Sequence, residues 1–253
     1  RDDWRIGTEH EKFMFDLEGY LVIEGVLSAA EVTELNRIAD TEFPHNDDGS
    51  VSGEWSMLPF GEPFKRLIDH PRLVPYLAEL LGPTFRLDHD YCIFMKEGEK
   101  RGGLHGGHGG DHWYGYRNGE IRNGLSVMTY FLSDAPEGAG GFACVPGSHK
   151  SNFGVRELTD EVRNFERPVH FVRQPPVQAG DVLFFTEALM HGTMTWRAQT
   201  ERRALLYKYS PGYSSWALDW YDFDRIGGLT ERQQRILAPP SVQHHRSVVA
   251  EAD

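Results

Sequence analysis

The sequence predicts a mainly β protein, a sandwich or barrel carrying helices at its N-terminal end. Three observations predict it. From residue 85 onward, short apolar segments alternate with glycine and proline turns. At 253 residues, with 40% hydrophobic and 12% aromatic side chains, the chain can bury a large core and is not of disordered composition. No internal repeat or low-complexity linker divides it, so one domain spanning 1–253 is the economical expectation, with a helical part over about 1–84, a β core over about 85–210 and a tail over 211–253.

The elements follow in order. Glu11 to Leu17 reads as a helix and Gly19 to Ile23 as a short strand. Ser28 with Glu31 fits a capping box, and Val32, Leu35, Ile38 and Ala39 form the apolar stripe of the helix behind it. Residues 44–63 are rich in Gly, Pro, Asp and Ser and read as a loop. Leu73 to Leu81 reads as a helix stopped by Gly82-Pro83. Strands are expected at Phe85–Met95, Leu125–Leu132, Phe142–Val145, Val169–Val172, Asp181–Phe185 and Arg203–Tyr209, with a glycine-rich excursion over 97–124. An aromatic tail with Tyr213, Trp216, Trp220 and Tyr221 leads to a last helix, capped by Thr230 with Gln233 and ended by Pro239-Pro240.

Bulk chemistry excludes some functions. The net charge is −12 with no basic run, which argues against nucleic-acid binding. Cys92 and Cys144 sit in apolar runs and read as buried free thiols. No stretch has the length of a membrane span. A cytoplasmic location is the default expectation, with a targeting segment ahead of Arg1 left open.

The chemistry points to a metal. A site of two histidines and one carboxylate holds iron(II) and leaves positions open for a chelating co-substrate and dioxygen. On a strand, His-x-Asp aims both ligands at one face, and the third must come from a distant strand. His191, just past the apolar strand at Asp181–Phe185, is the distant candidate. Arg202 lies eleven positions further on and opens the apolar run Ala204-Leu205-Leu206-Tyr207. A buried arginine needs an anion, and the distal carboxylate of 2-oxoglutarate is one that its fork can grip.

The run Gly140 to Lys150, then Gly180-Asp181-Val182, His191-Gly192-Thr193 and Arg202, resembles the phytanoyl-CoA dioxygenase family from about Gly19 to Tyr213. The resemblance implies a double-stranded β-helix (jelly roll, cupin-like) with flanking N-terminal helices and a short C-terminal helix. It implies iron(II), 2-oxoglutarate and dioxygen as cofactor and co-substrates. It makes His191 an iron ligand and Arg202 the 2-oxoglutarate anchor, with Thr193 and Thr129 contacting the co-substrate.

The sequence departs from the family at the first ligand pair. In Leu104-His105-Gly106-Gly107-His108-Gly109-Gly110-Asp111-His112, no histidine has an aspartate two residues on. His105 is the chosen ligand, since Leu-His-Gly-Gly resembles a recurrent bacterial subgroup of the family. Either Asp111 folds back through the glycines to complete the site, or the site stays open and chloride fills it, as in related iron halogenases. Trp113 and His108 are read as substrate-facing, although aromatic residues there can equally cover the barrel mouth. His149 reads as structural and Arg203 as an ion-pair residue.

The resulting expectation is hydroxylation of an aliphatic C–H bond in a small organic or natural-product substrate. Halogenation is the runner-up. A catalytically silent jelly roll that binds a ligand is the rival from another class. A CoA ester is not expected, because no basic cluster near the motifs would receive its phosphates.

Overall fold

In the computed structural model, residues 9–51, 53, 55–109 and 112–249 are described. The chain opens with α1 (Glu9–Glu18), β1 (Tyr20–Ile23) and α2 (Ala29–Glu42). The Ser28 hydroxyl accepts from the Glu31 N–H, and the Glu31 carboxylate accepts from the Ser28 N–H, so the expected capping box is formed. Val32, Leu35, Ile38 and Ala39 are all buried. Within the segment expected to be loop, a 3-10 turn at Leu58–Phe60 and a short helix α3 (Glu62–Lys65) appear instead. Pro63 suits the first turn of a helix, and Leu58 and Phe64 have a core to enter. Then follow α4 (Val74–Leu81) and β2 (Arg86–Met95).

The excursion over 97–124 is not all loop. It carries a hairpin of β3 (Tyr114–Arg117) and β4 (Glu120–Asn123). Asn118 and Gly119 turn it, both at positive φ (55° and 84°), the geometry that Asn-Gly favours between two strands. Next come β5 (Ser126–Phe131), β6 (Gly141–Cys144), a short helix α5 (Asp160–Arg163), β7 (Val182–Thr186), β8 (His191–Met194) and β9 (Arg202–Ser210). The tail ends in α6 (Phe223–Ile226) and α7 (Glu231–Leu237), the latter with the expected Thr230–Gln233 capping box.

The strand expected at Val169–Val172 does not form. Pro168, Pro175 and Pro176 bracket it, and proline cannot donate to a ladder. Instead Arg173 and Val177 make isolated bridges to Cys144 and Ala135.

The fold is mainly β, with antiparallel sheets. The large sheet has the order β1-β7-β5-β9-β2, and β6 pairs with β8 in a small one. Both faces of the large sheet are covered, which is why its strands read as near-continuous apolar runs. Along β9, Leu205, Tyr207 and Tyr209 join the core beneath the helices, while Ala204 and Leu206 join a second core with Phe142 and Cys144 of the small sheet. Strand alternation therefore puts Arg202 and Lys208 on the inner face with Ala204 and Leu206. Cys92 and Cys144 are buried free thiols, as expected. Among the described residues, no helix is long and apolar enough to cross a membrane.

Candidate active site

His105 and His191 meet at the open edge of the small sheet. They form an isolated antiparallel bridge, with His105 N–H to His191 O at 2.8 Å and His191 N–H to His105 O at 2.9 Å. Their ring centroids lie 4.4 Å apart. His191 Nδ1 donates to Leu189 O and His105 Nδ1 donates to Gly103 O, each at 2.8 Å. Carbonyls only accept, so both rings donate from Nδ1, and Nε2 is the nitrogen each ring can offer to a metal. That is the tautomer a metal needs, held by backbone on the far side of each ring.

The approach depends on Gly106. Its φ is +85°, and a Cβ there would lie 2.5 Å from Leu189 O and 2.8 Å from Glu187 O. The segment carrying His105 therefore crosses the turn after β7 at backbone contact, which a side chain would prevent. His191 is buried, walled by the rings of Phe142 and Phe185, whereas His105 is exposed. Burial pushes the His191 imidazole down to about 4, partly offset by the carboxylate of Glu187, so the ring is neutral at pH 7.

Glu187 and Lys208 were not picked out from the sequence. Glu187 is 3% exposed; its Oε1 lies 2.7 Å from Lys208 Nζ and its Oε2 3.7 Å from His191 Nε2. Burial would raise this carboxyl, but His191 and Lys208 outweigh burial and hold it down to about 2. Lys208 also reaches Tyr91 and stands over its ring. The available signal was a charge inside an apolar run, in Phe184-Phe185-Thr186-Glu187-Ala188-Leu189 and again in Leu205-Leu206-Tyr207-Lys208-Tyr209. Two opposite charges buried in apolar surroundings call for each other.

Arg202 sits at the other end of the same β9 face, 3% exposed. Its guanidinium carbon lies 5.8 Å from the Phe131 ring centre, Nη1 makes a long 3.4 Å bond to Ile93 O, and Nε has no partner among the described residues. Burial pushes its pKa down to about 10, so it stays charged at neutral pH. A Cβ on Gly141 would lie 2.8 Å from Arg202 Nε, so the glycine makes room for the side chain. Arg203, by contrast, turns outward to Asp40 at 2.6 Å and Glu201 at 2.7 Å.

The remaining expected residues are placed as follows. Thr129 is 2% exposed and pairs across to Leu183 and Leu206 in the middle of the large sheet. Thr193 lies two past His191, opposite Phe142. His108 is exposed and near enough to His149 to oppose its protonation. Trp113 is half-buried at the start of the β3–β4 hairpin. Asp111 lies outside the described residues. His149 is fully buried and donates from Nε2 to Asp16 O at 3.0 Å. Among the described residues, no three His, Cys, Asp or Glu side chains are already gathered at metal-ligand spacing.

Two cavities flank this region. One of about 540 Å³ is lined by Trp55, His89, Tyr91, Trp220 and Tyr221 and shares Tyr91 with the Lys208 pair. A larger one, about 920 Å³, lies over Tyr20, Val172, Arg173 and Met194 and touches neither histidine nor Arg202.

A family model described as phytanoyl-CoA dioxygenase (PhyH) matches residues 15–204. The chain belongs to this family. The family uses iron(II), 2-oxoglutarate and dioxygen. HygX from Streptomyces hygroscopicus, crystallised with nickel and 2-oxoglutarate, is 25% identical with a TM-score of 0.74, over 87% of this chain and 92% of that one. The same protein with nickel, 2-oxoglutarate and hygromycin B bound is 26% identical with a TM-score of 0.71, over 86% and 91%. The non-heme alpha ketoglutarate dependent epimerase SnoN from nogalamycin biosynthesis shares the fold at 21% identity and a TM-score of 0.59, over 81% and 83%. No curated protein matches the sequence.

Proposed function

We propose that this phytanoyl-CoA dioxygenase family member is an iron(II)- and 2-oxoglutarate-dependent oxygenase that hydroxylates an aliphatic C–H bond of a small organic or natural-product substrate. One observation carries it: a buried guanidinium with an Nε unpartnered among the described residues lies on the same inner face as two histidines whose Nδ1 atoms are spent on backbone carbonyls. A buried cation of this kind needs an anion, and a dicarboxylate that also chelates a metal at the histidines meets both requirements.

His105 and His191 would hold the metal, and Arg202 would fork onto the distal carboxylate. Thr193 and Thr129 would offer hydroxyls to the same molecule. When bound, the metal and 2-oxoglutarate couple oxidation of a C–H bond by dioxygen to decarboxylation of 2-oxoglutarate to succinate. Phe142 and Phe185 pack on His191, and Phe131 lies under Arg202, so the walls between the two ends are apolar and exclude water. The substrate would enter by the cavity beside Tyr91 and Trp220, with Trp113 and His108 on the excursion as further contacts. That HygX was crystallised with an antibiotic in place supports a small-molecule substrate.

Halogenation is the second reading, favoured by Gly107. Around a Cβ built there, nothing lies within 4 Å, which leaves space for a chloride.

The test is succinate formation. Purified protein with iron(II), 2-oxoglutarate and oxygen should release succinate, and His191→Ala should abolish it. Tight 2-oxoglutarate binding without succinate release would instead favour the silent jelly-roll reading.

A further inference from the structure

Gly107 has no side chain to offer a metal, and Asp111 lies outside the described residues, so the two histidines need a carboxylate from elsewhere among the described residues. We propose that Glu187, from the turn after β7, supplies it alongside His105 and His191. The inference rests on the iron reading above.

The first argument is which nitrogen the carboxylate faces. His191 spends Nδ1 on Leu189 O, so its metal-facing atom is Nε2. A carboxylate whose task was to orient this ring would sit at Nδ1. Glu187 Oε2 instead lies 3.7 Å from Nε2, on the side where the metal must be. Ligands at about 2.1 Å and right angles stand about 3 Å apart. Closing the gap takes a shift of well under about 1 Å, which is one modest side-chain rotation.

The second argument is what positions the carboxylate. Lys208 engages Oε1 at 2.7 Å, and no hydrogen bond to Oε2 is present among the described residues beyond the approach to His191. Lys208 thus holds the carboxylate inside the fold, at 3% exposure, with Oε2 turned to His191.

The third argument is the crossing at Gly106. A Cβ there would strike Glu187 O and Leu189 O, so backbone contact fixes the His105 segment directly over residues 187–189. Both histidines and Glu187 are therefore carried by segments in mutual backbone contact. Glu187 approaches His191 from the turn that the His105 segment crosses.

Anaerobic titration of metal-free protein with Mn(II), read by the electron paramagnetic resonance of free Mn(II), tests this without turnover. The proteins are the parent, His191→Ala, Glu187→Gln, Glu187→Gln with Lys208→Met, and Asp111→Ala. The double variant removes both charges, so an unpaired lysine cannot explain its behaviour. Thermal unfolding confirms that each variant folds. Glu187→Gln and the double variant should both weaken Mn(II) by more than the roughly 10- to 100-fold typical of outer partners, approaching His191→Ala. Asp111→Ala should bind like the parent. Parent-like binding in either Glu187 variant overturns the proposal, as does a loss in Asp111→Ala equal to that in His191→Ala. Parent-like binding in His191→Ala would overturn the iron reading itself, which separates the two failures.

Discussion

Arg202 and Arg203 are adjacent in the chain and have opposite surroundings. Arg203 is fully engaged, by Asp40, Glu201 and Asn36. Arg202 is buried with only a long bond to Ile93 O and the face of Phe131. Strand alternation alone separates them, because neighbours on β9 point to opposite faces. A lysine at 202 would keep the charge and lose the planar fork. Arg202→Lys should therefore weaken 2-oxoglutarate binding by about 1–3 kcal/mol, the range for hydrogen bonds to charged groups. Arg203→Lys should leave it unchanged. Equilibrium binding of 2-oxoglutarate to the metal-loaded variants measures both, and a stronger effect at Arg203 would reverse the assignment.

At the scale of elements, β2 ties the tail to the barrel through one carboxylate. Asp88 is fully buried and pairs with Arg86 at 2.8 Å. It also accepts from Trp216 N at 2.8 Å and Ala217 N at 2.9 Å. Burial would raise its carboxyl, but His89, these two backbone donors and Arg86 hold it well below the usual carboxylate range. The same tail supplies Trp220 and Tyr221 to the cavity beside Tyr91. Asp88→Ala would leave the Arg86 charge buried and release the 216–217 backbone. It should destabilise the protein by about 3–5 kcal/mol, as breaking a buried pair does. Urea unfolding monitored by tryptophan fluorescence reads this, and a loss below about 1 kcal/mol, the scale of an exposed pair, would show the network to be dispensable.

For the whole molecule, acid stability follows from buried neutral histidines. His149 fastens the turn after β6 to α1, with Asp16, Lys150, Tyr114 and His108 around it. Burial, helped by Lys150, pushes it down to about 4, whereas an unfolded histidine titrates near 6.5. Below pH 6.5 the unfolded chain takes a proton that the native state refuses. The stabilisation is thus complete above that pH and is lost progressively as pH falls toward 4. The loss is on the order of 3 kcal/mol at its limit. His191 acts in the same direction in metal-free protein. Unfolding free energies of parent and His149→Gln between pH 7 and 4 should converge as pH falls, and parallel curves would exclude His149 as the source.

Much of this was legible from local signals. The Ser28 and Thr230 capping boxes, the stripe of α2 and the long strands formed as read, because caps and period-two burial are decided by near neighbours. The Asn118-Gly119 hairpin carried a local signal too, but it was read as loop within a glycine-rich stretch. Val169–Val172 alternated like a strand, yet prolines on both sides denied it partners.

By itself the sequence determined the family, the mainly β class, and the histidine and arginine on which the functional reading rests. Those depend on residue types at fixed offsets along strands. The tertiary structure alone decided that Glu187 faces Nε2 of His191, that Lys208 holds it there, and that Gly106 lets His105 cross that turn. The reason is physical. Which charges meet inside a barrel depends on register between strands far apart in the chain, and on a backbone crossing that no spacing in the sequence encodes.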